Sequence, residues 1–500
     1  MSLSPNNLLD YLPVIAIIVP ILSIFIRPII ENKKHYLVAC IAHIISLLCV
    51  VAMFPSVVTE GKTLEVLFNT GLGPYLHFKA DLIGFYFAFV SSFLWVLASI
   101  YSIEYMKKEH DERRFNIFSS LSFAGMLGVV FTGNLFSLYL FFELLTVASS
   151  VLVFHEQSEE AIRTGLKYLF IGVFGGLLLL FAIIATYSVA GHGDLSQLGI
   201  KELQSSPILV FIFWAYIIGF GVKAGLFPVH IWLPSAHPIA PSPASALLSG
   251  VMIKAGAYGI FRVVYNVFGA EFLATNHVFL INCVLILGLA GIFYGSAAAI
   301  PQKEIKKMMA YSSISQIGYI IMGITLLTKR GLQGAMVHVF NHALIKGLLF
   351  CCAGAFIYKT GKRQLSDLKG IGKIMPKTTL LFTIGAASII GLPLFNGFVG
   401  KWFLALGSLD AAKAGIYGAS TGIVALGILL LSSLMNLVYY SPIVIGAWFG
   451  EVGDDTVDKD PNLIMLIPMY IMGALILILG IAPAIPVGIC ERIAEGFFPL

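Results

Sequence analysis

Residues 207–228 read PILVFIFWAYIIGFGVKAGLFP, and residues 229–254 continue VHIWLPSAHPIAPSPASALLSGVMIK. The run begins as a membrane-spanning helix, since a span needs about 20 mostly apolar residues. It then meets Gly219, Gly221 and Gly225, passes into Pro228, and carries Trp232 and Pro234 just beyond. A lysine, Lys223, sits inside the interruption. Irregular backbone at membrane depth survives only where protein or a wet cavity satisfies the freed amide and carbonyl groups. The stretch therefore reads as a membrane helix broken at a cavity.

The same rule, carried outward, gives an all-α polytopic membrane protein with about fourteen spans. They lie near 11–30, 36–55, 80–103, 116–133, 135–154, 164–188, 207–227, 243–266, 277–298, 308–327, 333–357, 378–408, 416–449 and 463–482. The twelfth is also interrupted, by Gly391, Pro393, Gly397 and Gly400. Two broken helices five apart in order are the pattern of a transporter built from repeats, although no residue-level similarity marks the halves. Composition agrees with one membrane domain over 1–500: 58% of residues are hydrophobic and 11% charged, against roughly 25% charged in soluble domains. The first apolar run follows an uncharged N-terminus and reads as a retained helix. Cys40, Cys49, Cys283, Cys351, Cys352 and Cys490 are scattered, without the spacing of a disulfide framework or a metal site. No basic, aromatic-interleaved patch suggests nucleic acid.

Loop charges orient the bundle. With the N-terminus outside, nineteen Lys and Arg fall in cytoplasmic loops: Arg27, Lys33, Lys34, Lys107, Lys108, Arg113, Arg114, Arg163, Lys167, Lys303, Lys306, Lys307, Lys359, Lys362, Arg363, Lys369, Lys373, Lys377 and Lys459. Eight fall outside: Lys62, Lys79, Lys201, Arg262, Lys329, Arg330, Lys413 and Arg492. The positive-inside rule then places both termini on the outer side of the cell membrane. The loop bearing Glu451, Asp454, Asp455, Asp458 and Asp460 dissents, but acidic residues count little in that rule.

Four bases are left inside: Lys223, Lys254, Lys346 and Lys401. Among the acids only Glu143 sits in mid-span, with Tyr139, Thr146 and Ser150 on its helical face; Asp81 and Glu104 lie at span ends. A charge in hydrocarbon costs at least ~2.5 kcal/mol on insertion scales and is a functional candidate by default. Plainer roles stand beside each: helix-to-helix glue for Glu143, and snorkelling for Lys223. His338, His342 and Lys346 share one slowly rotating face at i, i+4 and i+8. Two such histidines can ligate a metal, but no third ligand appears, and a titratable relay suits them better. His230 and His237 flank the break and either gate water entry or hydrogen-bond a loop. Burial disfavours the charged form of a carboxylate or an amine, and a neighbouring opposite charge restores it. Two unit charges about 4 Å apart interact by about 4 kcal/mol at an effective dielectric of 20, enough to move a proton when one partner shifts. Arginine could not play this part.

Several segments then resemble one family: FFELLTVASSVLV (141–153), GVKAGLFPVHIWLPSAHPIAPSPASALLSGVMIKAGAYGIFR (221–262), KKMMAYSSISQIGYI (306–320), HVFNHALIKGLLF (338–350) and GLPLFNGFVGKW (391–402). The family comprises the antiporter-like, proton-translocating subunits of respiratory complex I, of Mrp-type multisubunit sodium/proton antiporters, and of membrane-bound hydrogenases. The resemblance runs from about residue 80 to 450. It implies fourteen helices with two inverted five-helix repeats, helices four to eight (116–266) and nine to thirteen (277–449), and a last helix at 463–482. It implies a proton path through Glu143, Lys223, Lys254, His338, His342, Lys346 and Lys401. It also implies other membrane subunits as partners, with protons and Na⁺ as the ions in play. Leu500 follows soon after the last span, so the long lateral helix of the family's largest subunits is not expected. Size and Lys401 look most like a D-type Mrp subunit or its hydrogenase counterpart, with a subunit of the NADH:quinone oxidoreductase complex I as the alternative. A stand-alone secondary carrier is a further class. No nucleotide fingerprint or cluster-binding cysteine set is present, so no cofactor and no redox chemistry are assigned to this polypeptide.

The orientation is open to direct measurement. A cysteine placed at Ser2 is expected to react with impermeant label from outside intact cells, and one in the 359–377 loop to stay protected. External labelling of the 359–377 loop would overturn the assignment.

Overall fold

The computed structural model describes residues 8–26, 35–69, 71, 75–451 and 459–498, with His35 as backbone only. Ser2, Arg27, Lys33, Lys34, Asp454, Asp455 and Asp458, used above for orientation, lie outside the described residues. The fold is helical nearly throughout. The principal helices in chain order are α1 (Leu12–Ile26), α2 (His35–Ala52), α3 (Leu82–Tyr105), α4 (Glu112–Val130), α5 (Leu135–Val153), α6 (Glu159–Ala190) and α7 (Leu209–Ala224). There follow α8 (Ser242–Phe268), α9 (Val278–Ala299), α10 (Ile305–Thr325), α11 (Lys329–Thr360), α12 (Pro376–Ile390), α13 (Asn396–Ala414), α14 (Ala419–Phe449), α15 (Leu463–Ile481) and α16 (Ala484–Glu495). Among the described residues ten helices are long and apolar enough to cross a membrane, and α7 and α12 are shorter apolar helices. This is a polytopic membrane protein. Polar side chains fix several starts: Asn134, Ser158, Thr328 and Asn462 accept from the backbone N–H three residues on, the N-cap arrangement that satisfies an orphan donor.

The chain divides into two compact units. The first comprises Met1–Ser99, His110–Ala224 and Lys254–Leu273. In it α1 packs on α2 and α4, α4 on α5, α5 on α6, and α6 on α7. It also holds a feature that the helix-only reading does not anticipate, an antiparallel hairpin of β1 (Leu64–Phe68) and β2 (Leu76–Ala80), registered from Leu64 opposite Ala80 to Phe68 opposite Leu76. Five-residue strands are too short for the span rule to notice. The second unit comprises Ile100–Glu109, Gly225–Ile253 and Ala274–Leu500. Its centre is α11, which packs on α10, α12, α13, α15 and α16. An apolar cluster including Leu285, Ile292, Tyr319, Met322, Leu404 and Leu429 fills the space among α9, α10, α13 and α14.

Helix α8 is not a uniform α-helix. Its α-helical stretch Ile253–Arg262 is flanked by π turns at Leu248–Met252 and Val263–Phe268. The segment read above as one span at 378–408 is two helices, α12 and α13, separated by residues 391–395. Gly391 ends α12 at φ 93°, in the left-handed region where a glycine has no Cβ penalty.

Two charges counted above with the loops are inside the helical packing. Arg262 (2% exposed) belongs to α8 and Lys306 (4%) to α10. The buried bases among the described residues therefore number six and include an arginine. Both lie within a few residues of a span end, where a window of hydropathy cannot tell rim from interior. Arg262 donates two hydrogen bonds to Asp81, at 2.8 and 2.7 Å, and one each to the Tyr258 hydroxyl and Asn266 Oδ1. Asp81 in turn accepts from the Gly84 amide, and Tyr258 donates to the Val130 carbonyl. This network ties α8 to the start of α3 and the end of α4.

Breaking a buried pair by removing one member strands the other, at a cost of about 3–5 kcal/mol. The side chain of Asp81 is 23% exposed and that of Arg262 2%, so the two losses should differ. Asp81→Leu is expected to lower the thermal unfolding midpoint in detergent more than Arg262→Met does. Equal midpoints for both variants and the parent would remove the anchoring role.

Candidate functional site

In the first unit α5 and α6 run antiparallel and meet residue by residue. Ser149 faces Tyr168, with their hydroxyls 2.6 Å apart. One turn along, a Cβ on Gly172 would stand 2.6 Å from the Thr146 methyl. At the next turn a Cβ on Gly176 would stand 2.2 Å from Glu143 Oε1. Steps of three on α5 (149, 146, 143) thus meet steps of four on α6 (168, 172, 176), the ridge-in-groove register of close helix pairs. Only a residue without a side chain at 176 lets the Glu143 carboxylate lie against α6.

Lys223, on α7, is buried at 3% exposure. Its ammonium donates to Tyr168 at 2.6 Å, to Ser149 at 3.1 Å and to Thr146 at 3.4 Å, and lies 5.1 Å from the centre of the Tyr168 ring. No ion pair seen among the described residues joins it to Glu143. Glu143 Oε1 is buried and has no hydrogen-bond partner among the described residues. The two opposite charges are thus gathered on neighbouring turns of one buried seam, in an unpaired arrangement. Lys254, buried at 1%, is the second residue after the π turn 248–252. Its helix closes on α7 at Gly256, where a Cβ would stand 2.4 Å from the Ala224 amide nitrogen and the Phe220 carbonyl oxygen.

The second unit holds the other candidates. His338 and His342 stack on one face of α11, ring centres 5.9 Å apart and planes 8° from parallel. His338 Nε2 hydrogen-bonds Gln316 Oε1 at 2.9 Å. Lys346 donates to the Met309 carbonyl at 2.9 Å. Lys401 donates to the carbonyls of Ile389 and Ile390, both at 2.9 Å, and to the Ser433 hydroxyl at 3.1 Å. Those carbonyls close the last turn of α12, where the acceptors lack intrahelical partners and the dipole favours a cation. Asn396 ties the start of α13 to α11, exchanging hydrogen bonds with Asn341 at 2.6 and 3.1 Å. His237, fully buried, stacks on Phe350 at 4.8 Å, and neither ring nitrogen has a partner among the described residues; Lys306 and Lys346 are within its electrostatic reach. His230 packs against the rings of Phe227 and Tyr294, which also touch each other. Among the described residues no group of three or more His, Cys, Asp or Glu side chains could hold a metal ion.

Sequence reasoning passed over Ser149, Tyr168 and Gln316, since hydroxyls and amides inside membrane helices carry no charge to mark them. A cue for Tyr168 existed: it falls four and eight residues before Gly172 and Gly176, on the same helical face.

Fold and site together define a polytopic helical membrane protein with a charged interior. The family model described as "NADH:quinone oxidoreductase/Mrp antiporter, TM" matches residues 132–427. A relative named NADH-quinone oxidoreductase subunit N, from Desulforudis audaxviator, is 32% identical over 78% of this chain and 79% of its own length. A Na(+)/H(+) antiporter subunit from Alkalihalophilus pseudofirmus is 31% identical over 81% of this chain and 80% of its own. A chain in the solved Mrp complex from Dietzia sp. DQ12-45-1b superposes with a TM-score of 0.87 at 20% identity, covering 99% of this chain and 98% of that one; at that identity the likeness concerns the fold. The chain belongs to the NADH:quinone oxidoreductase/Mrp antiporter family.

The seam between α5 and α6 makes a testable demand. Gly176→Ala places a methyl where the Glu143 carboxylate lies, and the far end of a flexible side chain can move aside. The variant is expected to assemble and to keep its thermal stability within about 1 kcal/mol, the range of a mild substitution. Proton flux should nonetheless fall at least severalfold, and unchanged flux would show that the placement of Glu143 is immaterial.

Proposed function

We propose that this chain is a proton-translocating, antiporter-like membrane subunit of a multisubunit ion-pumping complex, an Mrp-type cation/proton antiporter or a membrane-bound hydrogenase. The alternative is the corresponding proton-pumping subunit of an NADH:quinone oxidoreductase. Names of the relatives support both readings equally. The observation that carries the proposal is the burial of Lys223, Lys254, Lys346 and Lys401, none more than 6% exposed, in the helices of an apolar bundle. A charge held there at a cost of several kcal/mol is explained by a task that needs it.

In this reading Glu143 and Lys223 act as an electrostatic switch. Lys254, His338, His342, Lys346 and Lys401 are further stations for the proton, and His230 and His237 control access. The fuller architecture belongs to the same proposal: fourteen helices, inverted repeats over 116–266 and 277–449, a last helix at 463–482, and both termini outside. The partners are other membrane subunits of the complex, the transported ion is the proton, and Na⁺ is the exchanged ion in the Mrp reading.

The test separates charge from packing. Glu143→Gln and Lys223→Met are each expected to abolish coupled flux in reconstituted complexes that still assemble, while Glu143→Asp retains part of it. Lys223→Arg should fail as well, because arginine keeps its charge but does not release a proton. Wild-type flux in an assembled Lys223→Arg complex would end the proton-carrying role of that residue. Proteoliposomes containing the chain alone should show little cation-coupled flux; robust transport there would favour a stand-alone carrier.

A further inference from the structure

The hydroxyls around Lys223 have their own hydrogens committed elsewhere. Thr146 donates to the Phe142 carbonyl at 2.9 Å and Ser149 to the Leu145 carbonyl at 2.6 Å. A serine hydroxyl has one hydrogen and two lone pairs. With that hydrogen spent on Leu145, the 2.6 Å contact between Ser149 and Tyr168 has Tyr168 as donor. Each of the three oxygens therefore turns a lone pair, and not a hydrogen, toward Lys223. An ammonium has three N–H donors and no acceptor. Three donors meet three acceptors, at 2.6, 3.1 and 3.4 Å.

Glu143 lies three residues along α5 from Thr146, an axial rise of about 4.5 Å at 1.5 Å per residue. The four-carbon stem of a lysine spans that distance by rotamer change alone. We propose that Thr146, Ser149 and Tyr168 form a second berth for the Lys223 ammonium, the one it occupies when parted from Glu143, with Tyr168 as the positioning residue that sets its occupancy. The inference rests on the reading of Glu143 and Lys223 as a switch, and gives that switch its other end. A two-position switch needs two places where the moving group is satisfied, since an ammonium left without partners in the interior would not stay parted from the carboxylate. Tyr168 is suited to hold it: it offers the shortest of the three contacts, and it comes from a different helix than Thr146 and Ser149.

The experiment uses the assembled complex. Tyr168→Phe keeps the ring and removes the 2.6 Å acceptor. The readout is the carboxylate stretch of Glu143 in the infrared, isolated by difference against the same complex carrying Glu143→Gln. With its second berth weakened, Lys223 should pair with Glu143, and the band should move to the position of an ion-paired carboxylate. Coupled flux should drop about tenfold, the scale of a lost hydrogen bond to a charged group. Ser149→Ala should move both readouts in the same direction by less. A Glu143 band that Tyr168→Phe leaves unmoved overturns the second berth, whatever the flux does. Full flux in Glu143→Gln and Lys223→Met complexes would be a different failure: the switch reading itself would fall, and the berth with it.

Discussion

An ammonium in the interior of a membrane bundle must find oxygen, and which oxygen it finds decides what it can do. Lys223 donates to three hydroxyls, Lys306 to the carbonyls of Pro238 and Ala240, Lys346 to that of Met309, and Lys401 to those of Ile389 and Ile390. Every one of these acceptors is neutral. Arg262 contrasts with them, with a carboxylate, Asp81, and further polar neighbours in its network. An arginine whose three nitrogens bind Asp81, Tyr258 and Asn266 is fixed in charge and position, and it serves as a rivet between helices. A lysine hydrogen-bonded to neutral oxygens has no carboxylate in direct contact to fix its proton, and the carboxylate nearest Lys223, Glu143, is not hydrogen-bonded to it. The buried cations thus sort by chemistry into one paired with a carboxylate and several hydrogen-bonded to neutral oxygens.

The breaks in the helices serve the same end. Where α12 stops at Ile390, its terminal carbonyls lose their intrahelical donors, and without them Lys401 would keep only the Ser433 hydroxyl as acceptor. Each removes the other's cost. The polar side chains Ser388, Asn396 and Asn341 bind the same break by a chain of hydrogen bonds, so its geometry is set by side chains from three helices. Site and irregular backbone are therefore one structure, and a regular helix through residues 391–395 would leave Lys401 without its two carbonyl acceptors.

Most of this was legible in the sequence for a simple reason: charges and glycine–proline breaks in apolar runs are costly, so they stand out. Glu143, Lys223, Lys254, Lys346 and Lys401 are marked by that cost in the sequence alone. What escaped notice carried no such mark. Tyr168, Ser149 and Gln316 are uncharged, and their importance depends on which helix faces which and in what register. Arg262 and Lys306 were misplaced because hydropathy averages over a window wider than their distance from the span ends. The hairpin of β1 and β2 was missed because strands of five residues leave little trace beside helices four times as long.

The wide turn at 248–252 in α8 bears on how such sequences are compared. A π turn holds one more residue than the α-helical turn it replaces, so every later side chain takes the angular place of its predecessor, about 100° round the axis. Lys254 therefore faces where an unbroken helix would have put Ile253. A relative one residue shorter and regularly helical at this turn would present its equivalent later side chains at the same points, because the wide turn absorbs the extra residue. Helical-wheel periodicity counted across residues 248–252 predicts the wrong face, and the phase of α8 has to be reckoned afresh from Ile253 onward.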